Sequence, residues 1–450
     1  MRDLPWFSIS RFFLYITPLA LVIVTASTLF PFIVGKYVWF RTSVALALIF
    51  FLIGVLFESE EGEEYLRKIG RILKTPLGIA VTAFTAIFII AGIFGLRPGY
   101  SFWSNFERGE GGLQMLNLYI FFILLITLLR KESEWRKLFW VVLWTALLMI
   151  LYGLGAGLGY NGFIGAEFGK DFSRFYGSLG NPAYMAGFLI FSSFYAVYIL
   201  TTRYRKHLFS HPGAVFIWLL LGIYAVIFLL AATRGAFLGI IGGAFLGLGY
   251  VGFVKRSWRK WAITIIIFLA ITAGTLIAFK NSEFVKKIPG SRIFDISLST
   301  TTFQHRTIMW KVALDSWKER PILGWGPESF GVLFQKNFNP DYFDPKGSFG
   351  AWFDRAHNIL FDYLVSTGIL GTLAYMAIFA TIYWKIFRRK IEEQTGLSSG
   401  IAALALAMPT AYLVQGLVLF DVLSIYLNLF IFFAFAWFLF YFKDEYESLT

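Results

Sequence analysis

Long apolar runs separated by short charged segments dominate the chain. They fall near 12–34, 42–57, 76–95, 113–129, 138–158, 182–200, 214–232, 236–254, 262–279, 358–384, 401–420 and 425–442. A helix of about 20 apolar residues crosses the roughly 30 Å hydrocarbon layer of a bilayer, and lipid tolerates backbone only where its amides are paired internally. The pattern therefore predicts an all-α polytopic membrane protein of about twelve transmembrane helices. Residues 214–254 sharpen the reading, because these 41 residues carry one charge, Arg234, in Thr233-Arg234-Gly235. Two spans fit there, and the arginine belongs at the turn between them. The long hydrophilic stretch 280–357 then divides the chain into residues 1–279 with nine spans, a 280–357 loop with an amphipathic helix, and residues 358–450 with three spans and a short polar tail.

Composition agrees, since 58% of the 450 residues are hydrophobic and 15% charged, values that belong to a membrane protein rather than to soluble domains. The net charge of +13 points to cytoplasmic loops and excludes nothing else, so no nucleic-acid partner is expected. The absence of cysteine rules out disulfides, zinc–thiolate sites and thiol catalysis. The first apolar run is too long for the core of a cleavable signal and reads as an anchor. Taken alternately, one set of short loops holds 19 Lys and Arg residues, among them Arg67, Arg130, Arg203, Lys255 and Arg389, and the other set holds 7, from Lys36 to Arg234. By the positive-inside rule both termini are cytoplasmic and Arg234 faces outward. The 280–357 loop is then also external; its 11 basic and 8 acidic residues carry no orienting weight in so long a segment.

Several residues carry candidate chemistry. Glycines 235, 239, 243 and 247, four apart after Arg234, form a ridge suited to close helix packing. Residues 302–318 read as an amphipathic helix capped by Thr301 or Thr302 and ended before Pro321. On it Lys311, Asp315 and Lys318 share one face and Arg306 shares the apolar face with Trp310, Ala313 and Trp317. An arginine on that face needs an anion, either a carboxylate such as Glu328 or Asp354 or a ligand. His357 opens the tenth span after Asp354, followed by Asn358 and Asp362, and an imidazole at a pocket mouth can accept a hydroxyl proton. Asn181 and Pro182 read as an ordinary helix start, leaving Arg174 as a further phosphate contact. Arg108 lies beside Glu107 and Glu110, in a loop that is either ion-paired or functional. No metal set stands out, Asp341 and Asp344 being the nearest approach to one, and no phosphate-binding glycine loop precedes a soluble helix, so neither metal nor nucleotide cofactor is expected.

Taken together, Thr233-Arg234-Gly235 between two spans, Arg306 through Trp310 to Pro321-Ile-Leu-Gly324-Trp-Gly326-Pro-Glu-Ser-Phe330, Ala356-His357-Asn358 leading to Gly368-Ile-Leu-Gly371, and Phe175 to Pro182 resemble the O-antigen ligase and polymerase superfamily. The resemblance spans roughly residues 100–430. It implies a GT-C-like, inverting, metal-independent membrane glycosyltransferase of the bacterial cytoplasmic membrane. Such an enzyme takes a glycan from undecaprenyl diphosphate and passes it to a hydroxyl or amide of a lipid A core or another glycan acceptor. By the same resemblance Arg234 and Arg306 hold the diphosphate and His357 serves the acceptor. Arg108, Arg174, Asp354 and Asn358 are additional candidates for binding diphosphate or glycan.

Elementary chemistry points the same way. As the sugar C1–O bond breaks, negative charge gathers on the leaving diphosphate, so fixed cations there stabilise the transition state more than the ground state. Bidentate guanidinium contacts do this without a metal. A lipid-linked donor arrives from the bilayer, which places the site at the outer interface. Three alternatives stay open: a surface polysaccharide polymerase, a lipid-linked glycan flippase or transporter, and a peptidoglycan-type polymerase resting on Asp354 or Glu328.

Overall fold

The computed structural model describes residues 5–105, 108–158, 174–296, 301–338, 353–388 and 397–447. Glu107, Lys170, Asp341, Asp344, Arg389 and Lys390, and the side chains of the two expected caps Thr301 and Thr302, lie outside the described set. Among the described residues the secondary structure is helical, without strands. In order the α-helices are α1 (Trp6–Tyr15), α2 (Val34–Phe57), α3 (Ser59–Ile72), α4 (Pro76–Ile93), α5 (Pro98–Trp103), α6 (Gly112–Leu128), α7 (Glu132–Gly157), α8 (Pro182–Arg203) and α9 (Pro212–Ala231). They continue with α10 (Arg234–Val254), α11 (Arg259–Ala278), α12 (Glu283–Lys286), α13 (Thr301–Glu319), α14 (Phe330–Lys336), α15 (Ile359–Phe387), α16 (Ser399–Gly416) and α17 (Leu423–Glu447).

Ten helices are long and apolar enough to cross a membrane, and the run Trp6–Val22 and α6 are shorter apolar helices. The first expected span, 12–34, is not one helix. Pro18 has no amide to give to the carbonyl four residues back, and that carbonyl, Leu14 O, instead accepts from Thr17 Oγ1 at 2.7 Å. The chain tightens into a 3-10 helix at Thr17–Val22 and turns before α2. Because α2 starts at Val34, Lys36 and Arg41 belong to its first turns rather than to a loop. Elsewhere the helix starts follow local chemistry. Thr75, His211 and Asn181 each accept a backbone amide of a helix whose first residue is proline, the residue whose missing N–H costs nothing at that position.

Two features of the packing place the site. Cβ atoms at Gly239 and Gly243 would stand 2.4 Å from the Ala411 and Ala407 carbonyls, and one at Gly247 would stand 3.0 Å from Ala403 O. The glycine ridge thus lets α10 lie backbone to backbone against the alanine stripe of α16. The second feature is a break in α15 at Gly368, with φ 65° and ψ −167°. The turn after α13 pairs with the freed backbone: Trp325 N donates to Val365 O at 2.7 Å, Gly326 N to Ser366 O at 3.0 Å, and Ile369 N to Pro321 O at 2.9 Å. Leu96 N, just past α4, donates to Trp325 O at 2.8 Å. This turn, α13 and α14 therefore dock on the first half of α15, around a small apolar core that includes Met309, Ala313, Leu333 and Val365.

Candidate functional site

A cavity of about 780 Å³ opens between the start of α10, α13, the residues before α15 and the end of α16. Arg108, Arg174, Arg234, Arg306 and His357 all line it, although they are scattered over some 250 positions of sequence. Arg234 is the first residue of α10, set there by a tight turn in which Ala232 takes φ 50°. Its Nη2 donates to Asp295 Oδ2 at 2.9 Å and its Nε to Arg292 O at 3.3 Å. Asp295 also accepts from Lys280 at 2.7 Å, so two cations share one partly exposed carboxylate. Arg306, from the second turn of α13, has its Nε buried with no hydrogen-bond partner. The carboxylates that could have neutralised it, Glu328 and Asp354, are bound to Arg355 and Arg108 instead.

Sequence reasoning missed Arg292, which joins Arg174 on the cavity wall. Burial, then the charges of Arg292 and Arg234, lower the pKa of Arg174; burial, then the charge of Arg234, lower that of Arg306. Guanidinium groups that disfavour one another's charge make a site that gains from an anion. Lys36, also on the wall, is committed differently, its Nζ donating to the carbonyls of Leu21 and Ile23.

His357 immediately precedes the N-cap of α15 and adopts φ 54°. Its Nδ1 lies 3.1 Å from Arg355 O. A carbonyl only accepts, so Nδ1 carries the proton in this contact and Nε2 keeps its lone pair. Phe353 and Phe420 meet the ring edge-on, at 5.2 and 4.9 Å between centroids. Burial lowers the imidazole pKa to about 4, with the Arg306 charge adding to the effect and the Arg355 carbonyl opposing it. The ring is therefore neutral at pH 7, well away from the near-neutral titration of a free imidazole.

The remaining candidates divide. Arg108 grips Asp354 with two bonds, Nε to Oδ2 at 2.6 Å and Nη2 to Oδ1 at 2.9 Å, while its guanidinium lies 5.0 Å from the Phe420 ring. Burial alone would raise the Asp354 pKa, but this bond and the nearby Arg355 charge bring it below the usual carboxylate range. Asp354 and Asn358 are not on the cavity wall. Asn358 Oδ1 accepts from Leu360 N at 2.9 Å and Phe361 N at 3.3 Å, and its Nδ2 donates to Leu417 O at 3.0 Å, a helix cap tied to the end of α16. Asn181 does line the cavity while capping α8.

The backbone marks the same region independently of charge. Among the described residues four non-glycine positions have left-handed φ: Ser104 and Glu328 at 65°, Ala232 at 50° and His357 at 54°. Each is an element of this site or touches one: Ser104 Oγ accepts from Glu110 N at 3.0 Å, Ala232 sets Arg234, and Glu328 binds Arg355 beside His357. Such conformations cost about 1–3 kcal/mol each and gather where geometry serves function.

Residues 216–376 match the family model described as O-antigen ligase. The match runs from α9 into α15 and so contains Arg234, Arg292, Arg306 and His357, with Arg108 and Arg174 before it. No curated protein matches the chain.

Proposed function

From the match of residues 216–376 to the O-antigen ligase family model, we propose that the chain is a member of that superfamily and transfers a glycan from undecaprenyl diphosphate to an acceptor hydroxyl at the outer face of the bacterial cytoplasmic membrane. The observation that carries this reading is the meeting, in one cavity, of arginines lacking full neutralisation and a neutral histidine with a free Nε2. Arg234 and Arg306 take the diphosphate, with Arg174 and Arg292 at its margin. As the acceptor oxygen attacks C1 from the side opposite the diphosphate, the C1–O bond to phosphate breaks and configuration inverts. The hydroxyl proton passes to His357 Nε2 and later to solvent, and the electron pair leaves with the diphosphate, where the guanidinium groups meet it. The acceptor on this reading is a lipid A core or another glycan. The volume of about 780 Å³ accommodates a sugar and a diphosphate together.

The test uses purified protein in liposomes with lipid-linked glycan and acceptor. Alanine at Arg306 or His357 is expected to cut transfer by about 10²–10³-fold while the protein still inserts and folds. Full activity in both variants overturns the reading, and movement of the intact donor across the bilayer without transfer replaces it with a flippase. Ligase and polymerase use the same donor chemistry. In a deletion strain, accumulation of long lipid-linked chains identifies a ligase, and accumulation of single units a polymerase.

A further inference from the structure

His357 is the one residue between 354 and 358 whose side chain is left to the cavity, because each of its neighbours is tied to another part of the molecule. Asp354 is held by Arg108. The Arg355 guanidinium, with its side chain 13% exposed, bridges Glu110 at 3.2 Å and Glu328. Ala356 N donates to Asp362 Oδ1 at 2.6 Å, and Asn358 is bound to Leu417 O. These anchors come from the segment before α6, the turn after α13, the first turn of α15 and the end of α16. The residue they surround has a left-handed backbone, uncommon away from glycine.

Stability alone gives a weak account of this arrangement. Desolvation offsets most of the attraction in a buried ion pair, and apolar replacements of similar volume are often neutral or stabilising. What such pairs do supply is direction. Arg355 stands out among them because it acts on the imidazole twice. Its carbonyl fixes the proton on Nδ1, and its side chain joins Glu328, itself left-handed, to Glu110.

We propose that Arg355 is the principal positioning residue for His357, with the Arg108–Asp354 pair as its second brace: together they hold the left-handed turn and the tautomer that present Nε2 to the cavity. This rests on the proposed transfer only for its kinetic readout. Asn358, by the same geometry, supports the turn and does not touch substrate.

The test compares full-length wild type, Arg355→Lys and Glu328→Gln in lipid, reading kcat and donor KM separately and recording the nitrogen NMR signals of labelled histidine without donor. Lysine cannot bridge two carboxylates in the planar fork geometry of a guanidinium. The expected result is a fall in kcat of about 10- to 100-fold with donor KM within about twofold of wild type, and loss of the uniform Nδ1–H signal of His357. If Arg355→Lys does not fold, Asp354→Asn combined with Glu328→Gln carries the same criteria. An unchanged His357 signal, or a kcat within about twofold of wild type in a folded variant, overturns the proposal. The NMR measurement needs no activity, so a failure of the transfer reading stays distinguishable from a failure of this one.

Discussion

At the residue scale, burial decides what His357 does. A histidine with an ordinary pKa would be partly protonated at neutral pH, whereas here burial first, and the Arg306 charge after it, bring the value to about 4. The consequence for stability has a definite sign. The unfolded chain binds a proton at this position below about pH 6.5, and the folded chain does so only below about 4, so the contribution of His357 falls as pH drops through that window and is complete above it. His357→Gln should therefore lose less stability than wild type between pH 6.5 and 4, measurable as a smaller drop in the thermal midpoint in detergent. Equal pH dependence in the two proteins would count against a neutral buried ring. Some of this site is legible in sequence. Arg234 stands alone in 41 residues, Arg306 shares a helix face with tryptophans, and His357 opens a span. Arg292 is not legible, as one of 11 basic residues in a long loop and outside its one periodic stretch. Asn358 is within reach: asparagine just before an apolar run is the cap signature that also marks Asn181, while its position beside His357 points to a ligand contact.

At the element scale, apolar run length recovers the helices and misses the breaks. Residues 12–34 and 359–387 are both apolar enough to read as single spans, yet Pro18 interrupts the first and Gly368 the second. Proline leaves a visible signal. Gly368 is one of 42 glycines, and what singles it out is a partner 46 positions earlier, since a Cβ there would stand 2.1 Å from Ile322 O. The glycine ridge of α10 shows the opposite case, in which a four-residue spacing does report a contact. Gly243→Val should separate α10 from α16, because even the first carbon of the new side chain would stand 2.4 Å from the Ala407 carbonyl. A destabilisation of about 1–3 kcal/mol is expected from overpacking, read as a lowered thermal midpoint, while Gly249→Val, where no atom lies near the added carbon, should leave it unchanged. Equal effects at the two positions would mean that the ridge is not an interface.

At the scale of the whole molecule, the charge asymmetry of the loops predicts an orientation that can be measured directly. The chain has no cysteine, so single cysteines can be introduced without removing native ones. Arg205→Cys should react with a membrane-impermeant thiol reagent only in inverted vesicles, and Lys318→Cys only in intact cells. The reverse labelling would place the arginine cavity on the wrong face for a donor displayed outside. The braces around His357 also belong to this scale: Arg108 and Asp354 are 246 positions apart, and nothing local in either segment announces the other.

The break in α15 bears on how proteins that share this family match could exchange specificity. The backbone groups freed at Gly368 are satisfied by residues 321–326, which follow the helix carrying Arg306. A chimera that imports only the hydrophilic stretch would bring a foreign plug to a native socket and leave those amides and carbonyls without their partners. The smallest portable cassette therefore extends from Arg306 through the far half of α15, and on the proposed transfer acceptor preference should travel between homologues only when both are grafted as one piece.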